Sequence, residues 1–288
     1  MRNPSIVVGT DGTACGTAAV EWAAGEALRR GAPLRIVHAF DWDWSESRLD
    51  IGNEYIDVAR LLAEGVVAAA RDRALAVAPA IDVETDTLIG HAGPRLTEVS
   101  RGAALLVVGS RGRGGFAGLL LGSVSRRMAL HAPCPVVVVR GRPTPDGPVV
   151  VGVDDSPGAE AVLGTAFEAA AARGAELLVL RSYLPVIPVW LAGVRAPDLE
   201  TPAQDEAERD RVTELLEPWA DKYPRVTTRL VITHKGAAAA LVGASANAQL
   251  VVIGSHGHGV VGGTLLGSAG LQLLHHAGCP VLVARPEA

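Results

Sequence analysis

The chain repeats itself at one long offset, and no other feature narrows its possible folds as much. The run Ile6 to Thr13 returns as Val149 to Ser156, an offset of 143 at the aspartates Asp11 and Asp154. Arg30-Gly31-Ala32 returns as Arg173-Gly174-Ala175, and His91 and Gly93 return as His234 and Gly236. The glycines Gly109 and Gly254 are offset by 145, and Pro135 to Val138 returns as Pro280 to Val283. A period this long is a duplicated domain rather than a solenoid unit. The expected domains are 1–141 and 147–288, joined through the Pro/Gly-rich stretch Gly141 to Pro148.

Each half alternates short apolar runs with helical patterns. In the first half the strands are expected at Ile6–Val8, Leu34–His38, Val83–Leu88, Leu105–Val108 and Val136–Val139. Helices are expected at Gly16–Arg30, Val58–Val77, Pro94–Arg101 and Ser123–His131. Continuous apolar runs suit strands buried on both faces, and strand–helix alternation gives a parallel sheet covered on both sides. The fold class is α/β, two tandem doubly wound domains. Ligands in such sheets bind at the carboxyl ends of the strands, where the strand order reverses.

The chemistry sits after the fourth strand. Gly109 is followed by two residues, Gly112, nine residues, and then Gly122-Ser123; Gly254, Gly257 and Gly267-Ser268 repeat that spacing. Glycines let a backbone take positive φ and approach a ligand closely. The amides of such a loop form an anion-binding concavity, and the helix opening at the Gly-Ser pair adds its free N–H groups and dipole. The serine is a candidate N-cap or phosphate donor. No Gly-Lys-Ser/Thr occurs, which excludes a Walker A loop. Gly257 to Gly262 matches the dinucleotide fingerprint only in letters, because Val281 to Val283 stand where an acidic residue is needed. Asp11 and Asp154, at the end of the first strand of each half, face the same crevice. Each is read as a partner of ribose or of a metal beside phosphates, or else as a cap for the next helix, a role that Thr13 or Ser156 can also fill.

Composition supports a globular chain and excludes other classes. Of the 288 residues 49% are apolar, and the formal net charge is −5, with no basic stretch to track nucleic acid. No apolar run reaches the ~20 residues of a membrane span, and no targeting segment is evident, so a cytoplasmic location is expected. Three cysteines, Cys15, Cys134 and Cys279, make no disulfide framework, and the last two read as small buried residues at strand entrances.

Together the spaced Gly-x2-Gly-x9-Gly-Ser loop, the first-strand aspartate and the final strand entered through Ala132-Pro133-Cys134-Pro135 resemble the universal stress protein family, in its tandem, ATP-binding form. The resemblance spans nearly the whole chain. It implies five-stranded parallel sheets of the adenine nucleotide alpha-hydrolase-like kind, with ATP, accompanied by Mg2+, across their carboxyl edge. Gly109, Gly112, Gly122 and Ser123, with Val124 and Ser125, would hold phosphates and ribose in the first half; Gly254, Gly257, Gly267 and Ser268 would do so in the second. Asp11 and Asp154 would lie beside ribose and phosphates, and the backbone at Ala39 and Ser182 would meet adenine. Pairing through Val136–Val139 and Val281–Ala284 would give a homodimer or larger assembly, read by an unidentified protein partner.

The halves differ. Arg111 and Arg113 in the first loop are replaced by His256 and His258, so the second site is expected to bind ATP more weakly, and more tightly at lower pH. Ala269-Gly270 replaces Val124-Ser125, removing one hydroxyl. No nucleophile is paired with an orienting base, which favours a nucleotide-dependent regulator of stress response or growth. The alternative is a slow ATPase or nucleotidyl-transfer enzyme of a related α/β class. His91 and His234 are read as structural or catalytic. Trp42, Trp44 and Trp190 fall in the variable stretches that are expected to form lids or contacts.

Overall fold

A computed structural model describes residues 4–40, 54–113, 120–186, 201–255 and 266–285, apart from the side chains of 54–57. Trp42, Trp44, Trp190, His256, Gly257 and His258 lie outside the described residues. The chain divides into two compact units, Met1–Arg140 and Gly141–Ala288.

In the first unit the order is β1 (Ile6–Gly9), α1 (Ala14–Arg30), β2 (Leu34–Phe40), α2 (Glu54–Val77), β3 (Val83–Ile89), α3 (Ala92–Val99), β4 (Leu105–Gly109), α4 (Ser123–His131) and β5 (Val136–Val139). All pairings are parallel, in the order β3-β2-β1-β4-β5. The chain winds outward from β1 to β3, then crosses back to place β4 on the other side of β1. The connections after β1 and β4 therefore part in opposite directions and leave a crevice at the strands' carboxyl ends. α1 packs beside α2, and α3 beside α4. Strands β1, β4 and β5 are almost wholly buried, whereas edge strand β3 is partly or fully exposed along its length.

α1 shows why this sequence folds locally as it does. The Thr13 hydroxyl caps it by accepting from the Gly16 amide at 3.3 Å, and Gly31 ends it at φ 58°. Its buried stripe is Ala19, Val20, Ala23, Ala24 and Ala27, small residues that let the helix lie close on the sheet. α3 starts two residues before the expected Pro94. Proline there occupies the first helical turn, where no intrahelical N–H is needed.

The second unit repeats the plan: β6 (Val149–Val153), α5 (Ala159–Arg173), β7 (Leu177–Ser182), α6 (Pro202–Lys222), β8 (Thr228–Thr233), α7 (Ala237–Ser245), β9 (Leu250–Gly254), α8 (Ser268–His276) and β10 (Val281–Ala284). Its parallel order is β8-β7-β6-β9-β10. The stretch after Arg140, read from its prolines and glycines as a linker, is bonded onto this unit. The Arg142 amide donates to the Gly278 carbonyl at 2.8 Å, the Thr144 amide to Ala248 at 3.1 Å, and Gln249 Nε2 to the Gly147 carbonyl at 2.7 Å. Cys134 and Cys279 are buried at the entrances of β5 and β10.

The long second helices are held by different chemistry. In the first unit the α1–α2 contact includes an ion pair between Arg73 and Glu21, both partly exposed. In the second, Gly164 replaces Glu21 and the Trp219 ring packs directly on it. Phe167, fully buried, stacks with Trp219 and Tyr223 at ring-centre distances of 6.4 and 6.0 Å.

α6 is also tied to the carboxyl edge of its sheet. Buried Arg181 on β7 donates to Asp155 at 2.8 Å and to Glu208 of α6 at 2.9 Å, and Arg211 pairs with both carboxylates. One turn earlier, Asp205 accepts from the Tyr183 hydroxyl and lies 2.8 Å from His234 Nε2. Hydrogen bonds from Tyr183 and then His234 hold the Asp205 carboxyl below its ordinary value. At Asp155 burial works upward, but Arg181 and Arg211 outweigh it and the carboxyl is again depressed. Burial and the Asp205 carboxylate push the Tyr183 phenol up.

Two predictions follow from these contrasts. Phe167→Ala is expected to cost about 3–5 kcal/mol in urea unfolding, whereas Arg73→Ala costs about 1 kcal/mol or less. A depressed carboxyl stabilises the fold above its unfolded pKa and loses that contribution as pH falls through the folded value. The second unit should therefore weaken below about pH 4, and Asp205→Asn should lower stability at neutral pH while flattening that acid dependence in pH-resolved melts.

Candidate functional site

The first-unit crevice is a cavity of about 620 Å³ at the ends of β1, β2 and β4. It brings together the eight first-half residues expected to hold nucleotide: Asp11, Ala39, Gly109, Gly112, Gly122, Ser123, Val124 and Ser125. β1 delivers Asp11, β2 delivers Ala39, β4 delivers Gly109, and α4 begins at Ser123 with its first turn on the cavity. The N-cap Gly122 gives that turn no side-chain acceptor, so its amides present an uncapped helix start that suits an anion.

The glycines act by close approach rather than by handedness. None of the described loop glycines has positive φ, which corrects that part of the sequence reading. A Cβ on Gly109 would sit 2.5 Å from the Cys15 carbonyl oxygen, so glycine here lets β4 lie against the start of α1. A Cβ on Gly112 would sit 2.7 Å from Asp11 Oδ2.

Asp11 is already engaged. Its Oδ1 accepts from the Thr13 amide at 3.0 Å and the Thr13 hydroxyl at 2.7 Å, and its Oδ2 accepts from the Arg113 amide at 2.8 Å. The helix-cap role, left open between Asp11 and Thr13, is shared, because Asp11 orients the Thr13 hydroxyl that caps α1. Ser125 is likewise committed: its buried hydroxyl donates to the Gly109 carbonyl at 2.6 Å and ties α4 to the end of β4. Arg111 and Arg113 line the cavity, and among the described residues neither side chain has a carboxylate partner. The Arg113 guanidinium lies over Gly12.

Sequence reasoning missed His38. It is 6% exposed, and its Nδ1 lies 2.8 Å from the Thr10 carbonyl oxygen, joining the ends of β2 and β1 beneath the crevice. The available signal was a polar residue directly after the apolar run Ile36-Val37, and Arg181, directly after Leu177 to Leu180, is marked in the same way.

The second crevice is built from the equivalent elements, with a cavity of about 120 Å³. Asp154, Ser182, Gly254 and Gly267 line it; Ser268 begins α8 without lining it, and Gly257 lies outside the described residues. Asp154 Oδ1 accepts from the Ser156 amide at 3.0 Å. The Ser182 hydroxyl donates to the Lys235 carbonyl at 2.6 Å, drawing β7 toward the segment after β8. Arg181, the buried cation at this edge, is consumed by Asp155 and Glu208. Where Ser125 stands in the first unit, the second has Gly270, and Leu266 fills the space.

His234 belongs to the cluster that holds α6. Its Nε2 lies 2.8 Å from Asp205 and 3.3 Å from the Thr201 hydroxyl. Carboxylate and hydroxyl thus address one nitrogen. A nucleophilic triad needs them on opposite nitrogens, so the cluster is structural.

Comparison with known proteins matches residues 3–140 and 147–285 to the Universal stress protein family. The chain is 37% identical over 301 residues to Universal stress protein Rv2005c of Mycobacterium tuberculosis strain H37Rv, covering 99% of this chain and 98% of that protein. It is 35% identical over 291 residues to Universal stress protein Rv2623 of the same strain, covering 97% and 96%. Among solved structures, a universal stress protein from Archaeoglobus fulgidus aligns with a TM-score of 0.72 at 20% identity over 98% of both chains, a likeness of fold. By these matches, each spanning nearly its full length, the chain belongs to the universal stress protein family.

Proposed function

We propose that the chain is an ATP-binding regulator that holds its nucleotide chiefly in the first unit. The observation that carries this reading is the convergence, on one cavity, of an uncapped helix start and the side chains of Arg111 and Arg113. Backbone amides with a helix dipole and two arginines suit a chain of phosphates, and the backbone at Ala39 offers an edge for adenine. Any Mg2+ would travel mainly on the phosphates. Among the described residues Asp11 is the one carboxylate on the cavity, and its oxygens already accept from the protein.

The second crevice supports binding less well. It is smaller, the buried Arg181 at its edge is paired with two carboxylates, and the α6 contacts close in at Tyr183 and His234, beside the backbone expected to meet adenine. Regulation by occupancy fits a site without a positioned nucleophile or base. Assembly through Val136–Val139 and Val281–Ala284, with a protein partner reading the occupied state in stress or growth control, completes the proposal.

Calorimetric titration with ATP and magnesium is expected to give about one nucleotide per chain. Joint replacement of Arg111 and Arg113 by alanine should weaken ATP more than tenfold while leaving AMP affinity within about threefold, since charge-assisted bonds to phosphate carry ~1.5–3 kcal/mol. Equal loss for both ligands would sink the assignment of these arginines. Sustained turnover above roughly 1 s⁻¹ in the same protein would favour the enzyme reading instead.

A further inference from the structure

Asp11 ties the start of α1 to a loop 102 residues further along the chain. Oδ1 is held by the amide and hydroxyl of Thr13 at the start of α1, and Oδ2 by the Arg113 amide in the loop after β4. The same Oδ2 stands 2.7 Å from the position of a Cβ at residue 112. Gly112 has no positive φ, so left-handed backbone is not what calls for glycine there. What excludes a side chain is the carboxylate. Nor is Asp11 free to yield, because moving Oδ2 off Gly112 stretches the Arg113 bond and swinging the whole group releases Thr13.

We propose that Asp11 is a positioning residue for the glycine loop, and that the carboxylate, rather than the ligand, requires glycine at 112. The clamp holds the loop at Gly112–Arg113 against the end of β1 before nucleotide arrives. In that position Arg111 faces the cavity, and the Arg113 guanidinium lies over Gly12. A loop fixed in advance pays less ordering entropy on binding, so the clamp acts on affinity through preorganisation. This inference rests on the nucleotide reading of the same crevice.

The two residues must therefore be coupled, and a double-mutant cycle on the full chain measures it. Calorimetric ATP affinity is compared for the wild type, Asp11→Ala, Gly112→Ala and the double variant. Gly112→Ala is expected to weaken ATP about tenfold in the wild-type background and less than about twofold once Asp11 is alanine, since the obstructing oxygen is gone. Equal factors in both backgrounds would overturn the proposal, because a ribose contact by Asp11 and a separate phosphate contact by Gly112 would add independently. A second readout needs no nucleotide. Amide hydrogen exchange at Arg113 should accelerate in Asp11→Ala and also in the near-isosteric Asp11→Asn, whose single carbonyl oxygen cannot serve both Thr13 and Arg113. Unchanged exchange at Arg113 in the folded Asp11→Asn variant would equally overturn it. If the wild type takes up no ATP, the nucleotide reading fails, while the exchange measurement still decides whether the clamp exists.

Discussion

The crevice exists because β1 and β4 lie side by side while the chain leaves them in opposite directions. That adjacency depends on a close contact: the backbone of Gly109, at the end of β4, lies against the Cys15 carbonyl at the start of α1. Any side chain at 109 would drive the helix away from the strand and pull apart the two segments that carry Asp11 and the glycine loop. The pieces assembled at this point are individually ordinary. A helix start, a carboxylate on an Asx-type turn and a glycine-containing loop become one anion-shaped cavity only because the sheet reverses its order here.

The sequence was most legible where physics imposes a pattern that repeats. Buried parallel strands must be continuous apolar runs, so Ile6–Val8 and Val149–Val153 were readable, and the 143-residue offset tied the halves together. The glycines and Ser123 of the spaced loop and the first-strand Asp11 line one cavity, as do Ala39, Val124 and Ser125, which the family resemblance added. What was not legible was the direction of each hydrogen bond. Ser125 reads as a phosphate donor from its place two residues after Gly-Ser, yet its proton goes to the Gly109 carbonyl, because a buried hydroxyl takes the nearest unpaired acceptor. The roles of His38 and Arg181 were hidden for a related reason. Strand pairing brings the ends of β1 and β2, or of β7 and α6, within reach only in three dimensions.

The duplicated units show how one fold redistributes its polar groups. At the shared position on the second strand, His38 lies beside the Thr10 carbonyl with no ion pair among the described residues, while Arg181 brings a full charge into a nearly dry site. A buried guanidinium is tolerable only with compensating carboxylates, and Asp155 and Glu208 supply them. Asp155 occupies the place of Gly12, whose φ of 77° an aspartate would adopt only under strain, so the first-unit turn does not carry over. The substitutions are therefore linked: arginine on the strand requires a carboxylate in the turn, and both draw α6 across the sheet edge.

That linkage has a consequence for binding. In the first unit the cavity is lined by Arg111 and Arg113, whose side chains have no carboxylate partner among the described residues. In the second, Arg181 is committed to the carboxylates that hold α6, and the bonds among Tyr183, Thr201, Asp205 and His234 gather beside the end of β7. A cation cannot fully serve an internal carboxylate and an external phosphate together, since each interaction must repay the desolvation of the same group. A tandem protein that keeps one crevice charged and commits the charge of the other to its own framework acquires a natural division. On the proposed reading, one unit would answer to nucleotide, and the other would offer a surface whose shape does not depend on it.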